Sequence, residues 1–219
     1  MNRLRFTLVT EGSSDRVLLP ILRWLLSQHN EDLPIDGEWA DLARLPSPPR
    51  SLAEKIAKGI QLYPCDLLFV HRDADRMTRE QRIQEIDEAI EGAQKALAKK
   101  SVKDPMPHHI CVIPVRMSEA WLLFDIDAIK YAASNPNGTM DLQLPALKSV
   151  ENLPDPKDVL YELLNSASGL SGRALKKFKP QVGVHRLVDY IQDFAPLHQL
   201  HAFEVLNSDV DKYCAAHAG

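Results

Sequence analysis

The stretch Leu4-Arg5-Phe6-Thr7-Leu8-Val9-Thr10-Glu11-Gly12-Ser13-Ser14-Asp15 decides how the rest of the chain is read. Leu4, Phe6, Leu8 and Val9 give residues 3–10 the apolar, β-favouring character of a strand. Glu11-Gly12-Ser13-Ser14 ends that strand in a tight polar turn. A helix follows at once, because Val17, Leu18, Ile21, Leu22, Leu25 and Leu26 recur at helical spacing behind Ser13 or Ser14 as N-cap. Strand, turn and helix in this order open an α/β unit.

The pattern repeats outward. Asp66-Leu-Leu-Phe-Val-His71 is a continuous apolar run, as in a strand buried on both faces, and it ends at Arg72-Asp73-Ala74-Asp75-Arg76. His109 to Val115 is a third strand, followed by a helix that Ser118 caps and that runs through Phe124. Between the strands, Ser51 caps a helix through Leu62, and a charged helix runs from about Thr78 to Lys100. Residues 30–50 are loop-rich and punctuated by Pro46, Pro48 and Pro49, with a weak strand near Gly37–Leu45. Strands alternating with helices predict an α/β fold with a mostly parallel sheet and helices on both faces.

After Asp125 the character changes. Asn135-Pro136-Asn137-Gly138 is a loop, and beyond Pro156 the periodicity is helical only, over about 157–167, 173–192 and 197–216. The expected organisation is an α/β metal-binding domain over 1–125 and a C-terminal helical region over 126–219.

Composition narrows the class. A hydrophobic content of 45% supports a packed core and excludes a disordered chain. The net charge of −4 means that a phosphate-bearing partner must meet a local basic patch or a bound metal. Cys65, Cys111 and Cys214 are odd in number and widely spaced, which suits a reducing compartment and gives no zinc-ligand spacing. The opening MNRLRFTLVTEG is too short and too soon interrupted for a signal peptide, and no apolar stretch approaches the ~20 residues that span a bilayer. The expectation is a cytoplasmic protein without a membrane partner.

Chemistry gathers at the strand ends. In open α/β sheets, ligands sit outside the carboxyl ends of the strands. The first strand delivers Glu11 and then Asp15, the second Asp73 and Asp75, and the third is followed by Glu119. Crowded carboxylates repel, so they must stay apart, take up protons or hold a cation, and hard oxygen ligands suit Mg²⁺ or Mn²⁺. Glu11 is also ordinary turn chemistry, and Asp15 and Glu119 are also ordinary helix-start acids. His71 abuts the aspartate pair, to which it could donate a hydrogen bond, although a strand-end histidine is usually structural. Arg72, Arg76 and Arg116 are the cations nearest in sequence. Arg173, Lys176, Lys177, Lys179 and Arg186 lie in an acid-free segment, either a solvated helix face or a clamp for a nucleic-acid backbone.

The ordered pair Glu11-Gly12-Ser13-Ser14-Asp15 and Asp73-Ala74-Asp75 resembles the pattern of Toprim domains over residues 3–125. Asp15, four residues after Glu11, looks like the nuclease branch, typified by the overcoming-lysogenization-defect nucleases. Ser118-Glu119-Ala-Trp121-Leu-Leu-Phe-Asp125 and Leu153-Pro-Asp-Pro-Lys157 are similar to a bacterial Toprim-like family known as domain of unknown function 4276. The resemblance implies a Mg²⁺- or Mn²⁺-dependent nuclease acting on DNA or RNA, with an ATPase protein as partner in phage defence. It implies that Glu11, Asp73 and Asp75 are metal-binding and catalytic, and that Asp15 completes a second site. Glu119 joins the metal set from strand-end position, and Arg116 is the catalytic cation assigned. Nuclease relatives place a further basic residue late in the domain, and this sequence has no clear equivalent. Two rivals remain open: a phosphatase or phosphotransfer enzyme using Asp73 as nucleophile, and a non-catalytic partner-binding module.

Overall fold

The computed structural model describes residues 3–30, 33–99 and 105–217. Four strands, β1 (Leu4–Val9), β2 (Ile35–Trp39), β3 (Leu67–His71) and β4 (His108–Val112), form one sheet in the order β2-β1-β3-β4. Every pairing is parallel, with Leu8 opposite both Trp39 and Phe69, and His71 opposite Val112. The connections carry α1 (Leu18–His29), α2 (Leu52–Leu62) and α3 (Arg79–Lys99). The architecture is α/β with an all-parallel sheet, as expected, and it is consistent with a Toprim-like fold.

Alternation along the strands divides the core. Val9, Leu68 and Val70 pack with Ile56 of α2 and Ile86, Ile90 and Ala93 of α3. Phe6 and Phe69 meet edge-to-face on the other side, with ring centroids 5.4 Å apart. There α1 buries Ile21, Leu22, Leu25 and Leu26. Gly37 is required where β2 crosses Phe6, since a Cβ would lie 2.3 Å from that ring.

The strand order fixes where a ligand belongs. From β1 the chain passes to β2 on one side, then crosses back to β3 and β4 on the other. The carboxyl ends of β1 and β3 therefore flank the point where the winding reverses, the crevice in which open α/β sheets bind ligands.

Several boundaries differ from the sequence expectation for physical reasons. The third strand stops at Val112 and not Val115, because Pro114 has no N–H to extend the ladder. The weak strand lies at Ile35–Trp39, an edge position where partial exposure blurs the apolar signal. Ser118–Leu122 is a 3-10 turn, with all five residues buried. The helix expected over 173–192 is two, α6 (Gly172–Lys177) and α7 (Pro180–Tyr190), divided by Pro180 at the start of the second. Residues 126–132, which carry no helical expectation, form α4 (Ile126–Ala132), which Asp125 caps by accepting from the Ala128 N–H. Lys100, the expected end of the charged helix, lies outside the described residues.

The chain divides into two compact units, Met1–Ile113 with Val205–Gly219, and Pro114–Glu204. The first contains the sheet, α1 to α3 and the Val205–His217 part of α8 (His201–His217), where Asn207 meets His29 at 2.8 Å. In the second, α4, α5 (Pro156–Ala167) and α7 pack on one another, and the Tyr131 and Tyr190 rings stack at 5.2 Å. Among the described residues no helix is long and apolar enough to cross a membrane.

Candidate metal centre

The turn after β1 is built by short hydrogen bonds. The Thr10 hydroxyl donates to the Gly12 carbonyl at 2.7 Å and accepts from Trp39 Nε1 at 3.0 Å. The chain then enters a 3-10 turn, Ser14–Val17, whose Asp15 is buried. Asp15 Oδ2 accepts from the Gly12 N–H at 2.9 Å, and Oδ1 accepts from the Ser14 hydroxyl at 3.0 Å. This clamps the carboxylate at the sheet edge.

β3 supplies the other half. His71, its last residue, is fully buried on the face that carries Phe69. Its Nδ1 lies 3.0 Å from the Val112 carbonyl oxygen. A carbonyl only accepts, so Nδ1 carries the hydrogen and the neutral ring presents a lone pair at Nε2. Nε2 has no hydrogen-bond partner among the described residues. It lies 3.5 Å from Asp73 Oδ1 and 3.8 Å from Asp15 Oδ2. Burial pushes the imidazole pKa down from its ordinary value, against the opposing charges of Asp15 and Glu11. A lone pair facing two carboxylates is repulsive until a proton or a metal cation stands among them.

Asp15, His71 and Asp73 each offer one donor atom, and the three atoms lie within 4.8 Å of one another. Two carboxylate oxygens and one imidazole nitrogen make a donor set that fits a divalent cation. Asp15 and His71 are each also oriented by a further hydrogen bond, as metal ligands are.

The remaining acids of this edge are held by arginines. Arg72 reaches Glu11 at 3.2 Å and Glu85 at 2.9 Å; Arg82 reaches Glu85 at 2.6 Å and Asp75 at 3.0 Å. The result is an alternating chain of charges from Glu11 to Asp75. Glu11 is half exposed, and Lys55 of α2 donates to its carbonyl at 2.6 Å. Asp75 is exposed and takes a left-handed φ of 52°, which aspartate tolerates better than most residues. Beside the turn, Glu11, Gly12, Trp39, Leu42, Pro49 and Lys55 help to line a pocket of about 190 Å³.

Glu119 and Arg116 belong to the second unit. Glu119 is buried, with Lys157 Nζ 3.2 Å from its carboxylate, so the Ser118–Asp125 and Leu153–Lys157 segments meet through this ion pair. Arg116 is partly buried at a φ of 62°, inside a three-residue turn closed by Met117 N–H to the Val115 carbonyl. Arg173, Lys176, Lys177 and Lys179 are exposed on and just beyond α6. Arg186, also exposed, donates to the Ser134 hydroxyl at 3.1 Å.

Sequence reasoning missed His71 as a donor and Lys55, Arg82 and Glu85 as neighbours of the acidic edge. His71 carried a usable signal: it ends a buried strand two residues before an aspartate, so both point to one face. Lys55 carried none, being far from Glu11 in sequence. Neither a family model, nor a curated protein, nor a solved structure matches this chain.

Proposed function

We propose that the chain is a divalent-metal-dependent phosphodiesterase of nuclease type, acting on DNA or RNA. The observation that carries the reading is the buried, unpartnered Nε2 of His71 facing Asp15 and Asp73 at the reversal of the sheet. That nitrogen is fully buried and has no hydrogen-bond partner among the described residues.

Asp15, His71 and Asp73 would hold the cation. When bound, it supplies Lewis-acid chemistry to a phosphoryl oxygen. Glu11, half exposed and four residues before Asp15 in sequence, would take a proton from an attacking water. Arg72 and Lys55 put positive charge beside Glu11, where they offset charge that develops on the phosphate. The exposed cations of α6 give a polynucleotide backbone something to hold in a chain that is acidic as a whole. The resemblance to nuclease-type Toprim proteins extends the proposal to a cytoplasmic phage-defence role with an ATPase partner.

Cleavage of labelled single- and double-stranded DNA and RNA tests this, with and without chelator. Wild-type protein is expected to cut at least one substrate only when metal is present. Asp15→Asn and Asp73→Asn should each lose on the order of 100-fold or more in rate. Full cleavage by both variants would exclude the site.

A further inference from the structure

The sequence pointed to an all-carboxylate site for a hard ion, and the donor set that comes together is different. We propose that Asp15, His71 and Asp73 form a mixed nitrogen–oxygen centre for a transition-metal dication of the Mn²⁺–Zn²⁺ class, held in preference to Mg²⁺. The inference rests on the metal-dependent reading above and specifies which ion that site selects.

Three features carry it. First, one of the three donors is an imidazole nitrogen. Mg²⁺ takes oxygen ligands and gives up its water reluctantly, whereas imidazole favours later first-row ions. Second, the tautomer is fixed before any ion arrives. The Nδ1–H bond to the Val112 carbonyl leaves Nε2 as the free lone pair, the arrangement in which histidine binds metals. Third, His71 is fully buried and Asp15 nearly so, so little water competes for these donors. The two contacts of Nε2, at 3.5 and 3.8 Å, are too long for hydrogen bonds from a protonated ring. They leave room for an ion among the three atoms. Asp15 is steadied by Gly12 and Ser14, and three protein donors leave coordination positions for water or a phosphate oxygen.

Full-length protein stripped with chelator and reloaded with Mn²⁺ provides the test. Pulsed electron paramagnetic resonance should detect coupling from one directly bound ¹⁴N. Calorimetry should give Mn²⁺ and Zn²⁺ affinities on the order of 100-fold or more above that of Mg²⁺. His71→Phe should abolish the nitrogen coupling, and Val112 keeps a partner there because its carbonyl also accepts from the Arg72 N–H. The wild-type spectrum decides the matter even if that variant fails to fold. Bound Mn²⁺ without nitrogen coupling, or equal affinity for Mg²⁺, overturns the mixed centre and leaves metal-dependent hydrolysis standing. Failure to bind any of the three ions, together with cleavage that ignores chelator, overturns both.

Discussion

Asp15 does two things with one carboxylate: it closes the turn after β1 through Gly12 and Ser14, and it faces His71 Nε2. Substitutions should separate these roles. Asp15→Asn keeps a side-chain acceptor and is expected to stay within about 1 kcal/mol of wild type in urea unfolding while losing metal. Asp15→Ala leaves the Gly12 N–H without that acceptor and should cost about 1–3 kcal/mol. Equal stability of the two variants would show that the turn does not depend on the carboxylate. At this scale the sequence was informative about residue type and poor about partnership. Glu11, Asp15, Asp73 and Asp75 stood out as acids at strand ends. Their sorting into two that face His71 and two that pair with arginines depends on Arg82 and Glu85. Those residues reach the edge only because α3 begins beside it. Such sorting has no local signature.

The elements that frame the site are fastened in ways that can be tested singly. Ser51 and Glu54 form a reciprocal capping box at the start of α2, the helix that brings Lys55 to Glu11. Ser51→Ala should cost about 1 kcal/mol in chemical denaturation. Gly37→Ala is expected to cost more, about 1–3 kcal/mol, because the buried Phe6 ring has nowhere to retreat. β3 is tied to β1 by Arg5, which donates from its backbone N–H and its guanidinium to Asp66. Those bonds and the adjacent charge hold Asp66 below the usual carboxylate range. A folded-state pKa below the unfolded value means stabilisation that is complete above the unfolded pKa and disappears as pH falls through the folded one. The stability gap between wild type and Asp66→Asn should therefore be widest above about pH 5 and close in strong acid. A gap that does not change with pH would show that the pair contributes nothing through its charge. Long apolar runs such as Leu67–His71 were readable because burial on both faces leaves an unbroken signal. β2 was misplaced because an edge strand lacks it. Proline marked the true ends at Pro114 and Pro180, where a missing N–H or a fixed φ outweighs apolar periodicity.

For the molecule as a whole, charge distribution matters more than charge sum. A net −4 chain that binds polynucleotide must do so through a patch, and none of the residues of α6 is buried. Reversing Arg173, Lys176 and Lys177 to glutamate should weaken nucleic-acid binding and lower the slope of log affinity against log salt by about 2–3. An unchanged slope would return α6 to the role of a solvated face. The division into two units was less legible than the fold class. A boundary after 125 was expected from the loss of strand pattern, whereas the chain divides after Ile113 and the first unit includes Val205–Gly219. Nothing local announces that return, because it is a matter of which surface a late helix covers. His71 sits on the α1 side in the register that sets Val70 opposite Val9 in β1 and His71 opposite Val112 in β4. A slip of one residue would turn the imidazole to the opposite face and break its tie to that carbonyl. Parallel pairings between distant segments are slow to form. A nascent or mispaired chain therefore lacks the buried imidazole that faces Asp15 and Asp73, so these three donor atoms come together only in the correctly paired sheet.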